Sequence, residues 1–241
     1  MGTAINLPAD SDHQIGGRPR LDIVSDTICP WCYVGKRHLE AALPILASEG
    51  LSFDIMWRPF RLNPDIPKGG VDRRAYRSAK FGSWEKSLAL DAQVAAAGAI
   101  DGLAFHHDRI VRTPNTVGSH ILIRLAHEVG GAALQDRVVE ALFAGYFTQG
   151  SDVGDPEVLA DIGAAAGMER PRVLAAVFDR ARGDEVMKEE RLARDLHLNG
   201  VPSFVLDGKY LFSGAEPSYI IVAALRDAAA ASAQLRRRGT V

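Results

Sequence analysis

Two cysteines with two residues between them, set directly after a short β-branched run, constrain this chain more than any other feature. From Leu21 to Lys36 it reads LDIVSDTICPWCYVGK, and Cys29 and Cys32 are the only cysteines among 241 residues. Leu21–Ser25 has the apolar, β-branched character of a strand. Pro30 suits the first turn of a helix, where no amide donor is needed. Val34, Leu39, Ala42 and Leu43 then carry helical spacing as far as Ser48, with Pro44 kinking the helix or marking its last turns. After Glu49-Gly50, the alternation of Leu51, Phe53, Ile55 and Trp57 reads as a second strand. A strand–helix–strand crossover of this kind makes the two strands parallel. The cysteines therefore stand at the junction of the first strand and the helix.

Such a pair can be a staple, half of a metal site or a redox centre. As a disulfide it closes a four-residue loop worth about 2 kcal/mol, the low end of the scale. A chain with 47% hydrophobic residues builds its core without that help. A structural zinc site needs four ligands. No second cysteine pair is present, His106-His107 are adjacent and poorly spaced, and of seven histidines only His38 is near in sequence. No metal is expected. The redox role needs a first cysteine at a helix N-terminus, where free amides and the dipole favour a thiolate. It also needs a second cysteine one turn on, able to attack a mixed disulfide. Both are present. Cys29 is read as the nucleophile, with a moderately lowered pKa, and Cys32 as the resolving thiol. Pro30 fixes the turn, and Trp31 offers an aromatic surface without positive charge. Asp26 and Asp22 are the nearby carboxylates. Asp26 either relays protons to a buried thiol or caps a turn.

The remainder is ordered in blocks. Residues 61–70 have loop character, and the signals from Val71 to about Leu198 are helical. The expected segments are Asp72–Lys80, Trp84–Ala97, Thr116–Val129, Ala132–Thr148, Pro156–Ala166, Pro171–Arg180 and Gly183–Leu198, with Asn115 and Asp155 as caps. Ser203–Asp207 and Tyr210–Gly214 read as a hairpin about Gly208-Lys209, and a last helix runs from Ser218 to Leu235. The order β-α-β, helical block, β-β-α predicts an α/β fold: one mixed sheet from the two ends of the chain, with an all-helical insertion between. The expected division is 1–19 as a flexible lead-in, 20–64 with 199–235 as the sheet domain, 65–198 as the insertion and 236–241 as a tail.

A net charge of −2 gives no reason to expect nucleic acid or an anionic membrane as partner. The first twenty residues lack the apolar core of a secretory signal, and no apolar run has membrane-spanning length. A reducing, cytoplasmic setting is expected, in which a C-x-x-C leans towards catalysis or metal binding.

CPWC after a strand, followed by YVGK, with a distant Gly200-Val201-Pro202-Ser203-Phe204 before a hairpin, resembles the thioredoxin superfamily. The helical insertion resembles the DsbA family. The ordered set SDTICPWCYVGKRHLE, WRPFRLNPDIP, TPNT, LFAGYFTQGSDVGD and NGVPSFVLDGKYLFSGAEP, from about Leu21 to Ala229, resembles its FrnE-like branch. The resemblance implies a thioredoxin fold and a protein-disulfide oxidoreductase or isomerase with no cofactor beyond its own cysteine pair, glutathione being a candidate co-substrate. Its partners would be polypeptides with thiols or disulfides, or a small molecule, and apolar helix faces leave room for a homodimer. The Val201–Pro202 bond would be cis and face the cysteines, freeing the Val201 backbone to pair with an extended substrate. Asn115 and Thr116 would lie near the active centre, and Phe60 in an apolar rim beside it. Two departures stand out. The family's buried acid on the first strand is here Ile23, which moves any proton relay to Asp26 or solvent. Glu216 replaces a usual glutamine. The same architecture also resembles glutathione-dependent kappa-class transferases and 2-hydroxychromene-2-carboxylate isomerases, which carry serine at the first cysteine position. A chaperone-like binding module is the third reading.

Overall fold

The computed structural model describes residues 17–238, with side chains to residue 232. The expected lead-in lies outside the described residues up to residue 16. The last helix, α8 (Ser218–Arg238), continues three residues past the expected boundary, and residues 239–241 lie outside the description.

Four strands form one mixed sheet. β1 (Arg20–Ser25) and β2 (Asp54–Pro59) pair in parallel. β5 (Ser203–Leu206) runs antiparallel to β1, and β6 (Lys209–Ser213) antiparallel to β5, giving the order β2-β1-β5-β6. β2 begins later than its alternation predicts: Leu51 N–H turns back to the Leu46 carbonyl at 2.9 Å, and pairing with the β1 segment starts at Asp54, whose N–H donates to the Pro19 carbonyl at 2.9 Å. The hairpin turns on Asp207 (φ 47°) and Gly208 (φ 75°), one residue earlier than expected. Two successive positive φ values match the twist of the flanking strands, and the second is glycine.

β1 is central and buried on both faces. Leu21 and Ile23 join the main core with Leu39, Ala42 and Leu46 of α1 (Pro30–Ser48). Val24 faces a second, smaller cluster. Ile23 is fully buried and stands between Trp57 and Phe204 in the sheet, so the position of the family's acid is here part of the apolar core. Pro44 does not end α1, which continues to Ser48.

The helices α2 (Arg73–Phe81), α3 (Trp84–Ile100), α5 (Pro156–Ala165), α6 (Arg170–Phe178) and α7 (Arg180–Asp195) fall within a few residues of expectation. α4 (Val117–Ala144) is broken where a boundary was expected, at Gly130 and Gly131, whose φ values of −144° and 65° are not helical. Its second half stops at Ala144 and relaxes into a wider turn over Gly145–Gln149. Two strands unforeseen in the sequence, β3 (Val71–Asp72) and β4 (Arg112–Thr113), form a two-residue ladder that closes the loop around α2 and α3. No helix among the described residues is long and apolar enough to cross a membrane.

Side-chain charges clamp α1 to α4. Buried Lys36 pairs with Glu40, with Asp136 at 3.3 Å and with Glu140 at 3.2 Å. Arg37 pairs with Glu140, which also accepts from Tyr33 Oη at 2.8 Å. The helix that carries the cysteines is thus held at its first two turns by the inserted helices as well as by the sheet.

Candidate active site

Cys29 is the N-cap of α1, with extended backbone (φ −91°, ψ 110°), and Pro30 takes the first helical position. Its own N–H donates to the Asp26 carbonyl at 3.0 Å, which closes the turn from β1 into the helix. Pro30 brings no N–H and Cys32 N–H donates to the Cys29 carbonyl at 3.0 Å, so what Cys29 gains from its place is the positive end of the helix dipole. Cys32 follows one turn on. The two thiols are free rather than bonded. Cys29 is 4% exposed and Cys32 fully buried. Trp31 between them is 38% exposed and is the apolar surface beside the pair.

Burial pushes the Cys32 thiol up, and the neighbouring Cys29 pushes it further in the same direction. Burial therefore favours the protonated form of Cys32.

The loop before β5 completes the site. The Val201–Pro202 peptide is cis. Cys29 Sγ lies 3.6 Å from the Val201 carbonyl oxygen, with the thiol as donor. Pro202 packs on α1 at Gly35, where a Cβ would come within 3.0 Å of the proline Cγ. The Pro202 carbonyl accepts from Gly214 N–H at 2.8 Å, which ties the loop to the end of β6. Glycine at position 35 of the YVGK stretch thus permits the close approach of helix and loop.

Asp26 is fully buried. Its carboxylate accepts from Leu62 N–H at 2.7 Å, and its second oxygen lies 3.6 Å from His120 Nε2. The helical pattern around His120 marked it as no more than a helix residue. Asp22 is placed apart from the thiols. It is buried between Arg20 (2.8 Å) and Arg58 (2.7 Å), and Arg58 continues to Glu189 at 3.0 Å.

The substrate-contacting residues expected from the resemblance sit differently. Phe60 is 2% exposed, and its ring packs in the smaller cluster with Val24, Ala193, Leu198 and Val205 under the guanidinium of Arg194 at 4.2 Å. Its N–H prolongs the β1–β2 pairing by donating to Ser25 O at 3.0 Å, which turns the ring to the interior face. Phe60 is core, not rim. Asn115 has both ends of its amide engaged: Oδ1 accepts from Val117 N–H at 3.0 Å and Nδ2 donates to Ile66 O at 2.7 Å. It caps α4. Thr116 is buried at the same helix start. One turn further, Ser119 Oγ lies 2.9 Å from Thr27 Oγ, two residues before Cys29, so the start of α4 does abut the cysteine turn. Glu216 contributes its backbone: its carbonyl lies 2.9 Å from His38 Nδ1, and the exchange of glutamine for glutamate leaves that contact intact.

The chain belongs to the DsbA-like thioredoxin family, whose domain model matches residues 20–226. It is 34% identical to the probable DsbA oxidoreductase SCO1869 of Streptomyces coelicolor, with a TM-score of 0.78 over 88% of this chain and 90% of that one. A 2-hydroxychromene-2-carboxylate isomerase shares the fold at a TM-score of 0.65 and 15% identity, over 89% of this chain and 98% of that one. So does the cytosolic disulfide reductase DsbM of Pseudomonas aeruginosa in its structure with GSH, at 0.56 and 19%, over 90% and 99%. The family is thus one of DsbA-like thiol–disulfide oxidoreductases, and the fold is the thioredoxin fold with inserted helices.

Proposed function

We propose that this protein is a protein-disulfide oxidoreductase that works through the Cys29–Cys32 pair. One observation carries the reading: a free cysteine at a helix N-terminus touches the carbonyl of Val201, ahead of Pro202, while its partner thiol is buried one turn behind. Cys29 attacks a substrate disulfide in line, and Cys32 displaces the substrate from the mixed disulfide. The Val201 backbone pairs with an extended substrate, and the exposed face of Trp31 covers the apolar part beside it. Pro30 sets the turn. Cysteine at both positions favours disulfide exchange over the isomerase and transferase chemistry found on the same fold. A polypeptide is the substrate, or a small molecule bearing a disulfide, in a cytoplasmic setting with glutathione as co-substrate.

The test is equilibration in graded glutathione buffers, read by the fluorescence of Trp31. The wild type should show one two-electron transition that Cys29→Ser abolishes. A potential near about −270 mV assigns a reductase or isomerase, and one near about −120 mV an oxidant. The absence of any transition would remove the redox reading.

A further inference from the structure

The loop that carries Val201 is held from behind by hydroxyl groups that take no part in disulfide exchange itself. Ser203, fully buried at the first position of β5, donates from Oγ to the Gly200 carbonyl at 2.6 Å. Its one hydrogen is engaged there, so in its contact with Ser213 Oγ at 2.5 Å the donor is Ser213. Ser213 Oγ in turn accepts from Tyr210 Oη at 3.1 Å. Ser203 and Ser213 stand opposite each other in the β5–β6 ladder. Residues three apart on a regular strand point to opposite faces, and the register shift between Phe204 and Val205 returns Tyr210 to the side of Ser213. Three hydroxyls therefore point their hydrogens one way, from an exposed phenol to a single backbone oxygen. On the other side of Val201, the Pro202 carbonyl accepts from Gly214 N–H at 2.8 Å. The end of β6 thus fixes the loop on both sides of Val201. The Gly200–Val201 peptide is trans, since only Val201–Pro202 is cis among the described residues. In a planar trans peptide the C=O and N–H point in opposite directions. A Gly200 carbonyl drawn inward to Ser203 turns the Val201 N–H away from the interior. That N–H has no backbone acceptor among the described residues, which leaves it open to a ligand.

We propose that Ser203 is a positioning residue: by holding the Gly200 carbonyl it aims the Val201 N–H at a backbone carbonyl of the substrate, and so favours extended polypeptides over small disulfides. The proposal rests on the redox reading above. The Val201 carbonyl that meets Cys29 Sγ belongs to the next peptide along. Loss of the Ser203 hydroxyl therefore leaves the contact of the thiol in place and frees only the amide. Ser203 bears on recognition of the chain around the disulfide and not on the reactivity of the sulfur. A small disulfide without a backbone gains nothing from it, whereas a peptide gains one aimed hydrogen bond.

The experiment follows release of 2-nitro-5-thiobenzoate from two mixed disulfides by the reduced protein. In one the chromophore is linked to the central cysteine of an uncharged pentapeptide, and in the other to 2-mercaptoethanol. In both, Cys29 Sγ bonds to the other sulfur, and the electron pair of the broken S–S bond leaves on the chromophore as a thiolate. Ser203→Ala should raise the half-saturating concentration of the peptide about three- to tenfold, the weight of one net hydrogen bond, and leave the limiting rate unchanged. The mercaptoethanol disulfide should react equally with both proteins. Ser203→Thr, which keeps the hydroxyl, should restore most of the affinity for the peptide. Ser213→Ala removes a hydroxyl from the same chain but leaves the Ser203–Gly200 bond, and should stay within about twofold of the wild type even where its urea midpoint falls as far as that of Ser203→Ala. A second measurement needs no alanine variant. In the Cys32→Ser protein joined to the pentapeptide through Cys29, the Val201 amide should exchange its hydrogen with solvent more slowly than in the free protein. Folded Ser203→Ala that takes the peptide as the wild type does, equal effects on the two disulfides, or a Val201 amide that exchanges no more slowly in the adduct overturns the proposal. A wild type that releases the chromophore but forms no Cys29–Cys32 disulfide overturns the redox reading, and the proposal with it.

Discussion

The thiol of Cys29 donates to the carbonyl oxygen of Val201 across 3.6 Å, joining residues 172 positions apart. The sulfur proposed to attack and the backbone proposed to bind an extended substrate are therefore in contact before any substrate arrives. A disulfide laid along Val201 meets Cys29 and not Cys32, which is fully buried. Cys32→Ser should accumulate a covalent adduct with a disulfide-bearing peptide, linked through Cys29 alone, as intact mass and peptide mapping would read. Cys29→Ser should give no adduct. An adduct on residue 32 of the Cys29→Ser protein would show that the second thiol is reachable and that the order of attack is wrong.

The buried Cys32 thiol also gives the reduced protein a pH dependence. Burial raises its folded value above the roughly 8.5 of a free cysteine. The folded state then keeps a proton that the unfolded chain loses. The contribution is full below the unfolded value and is lost as pH rises from about 8.5 through the folded one, because the unfolded state binds fewer protons there. The urea midpoint of the reduced wild type should fall more steeply between about pH 8 and pH 10 than that of Cys32→Ala. Burial also pushes up the phenols of Tyr33 and Tyr146, and their loss of stability at higher pH is common to both proteins. Parallel curves for the two proteins would contradict the assignment.

Gly35 sets how closely α1 approaches the substrate platform. A Cβ there would lie 3.0 Å from Pro202 Cγ and 3.7 Å from Ala215 Cα. Gly35→Ala gains about 1 kcal/mol of helix propensity and loses a similar amount to crowding, so its stability should change little. Gly35→Val adds a Cβ and two methyl groups to the crowded side and should cost about 1–3 kcal/mol in urea unfolding. It should also slow the reaction of Cys29 with 5,5′-dithiobis(2-nitrobenzoate), because the proline it displaces carries Val201. A valine variant of wild-type stability would mean that the loop yields freely.

What the sequence made legible was local. CPWC at a strand–helix junction, the last hairpin to within one residue of its turn and the Gly130-Gly131 break each declare themselves locally, through turn chemistry and periodicity. What stayed hidden depended on which distant segments meet. Phe60 ends an alternating strand, and nothing nearby tells that Arg194 and Leu198 will cover it. His120, in the run Ser119-His120-Ile121-Leu122, differs in no local way from an ordinary helix residue, yet the fold brings it to Asp26 across 94 positions of chain. Asp22 gave no sign that it would be enclosed by Arg20 and Arg58 rather than face the thiols. The family pattern misled at Phe60 because it supplies position and not side-chain direction.

His38 offers a last test, of how the departure at Glu216 should be read. Its ring spans three elements. Nδ1 lies 2.9 Å from the Glu216 carbonyl after β6, and Nε2 lies 2.8 Å from Asp101 Oδ2 at the end of α3. His38 itself sits on α1, so the ring braces the cysteine helix against both. Removing it leaves a carbonyl and a carboxylate without this partner, a loss of about 1–3 kcal/mol when such groups are buried. Both sites are only partly buried, so His38→Ala should fall at the lower end of that range in urea unfolding. Glu216→Gln leaves the backbone carbonyl where it is, and should stay within about 0.5 kcal/mol of the wild type. If Glu216→Gln instead shifted stability as much as His38→Ala, the side chain would be the anchoring group, and the replacement of glutamine by glutamate would carry structural weight.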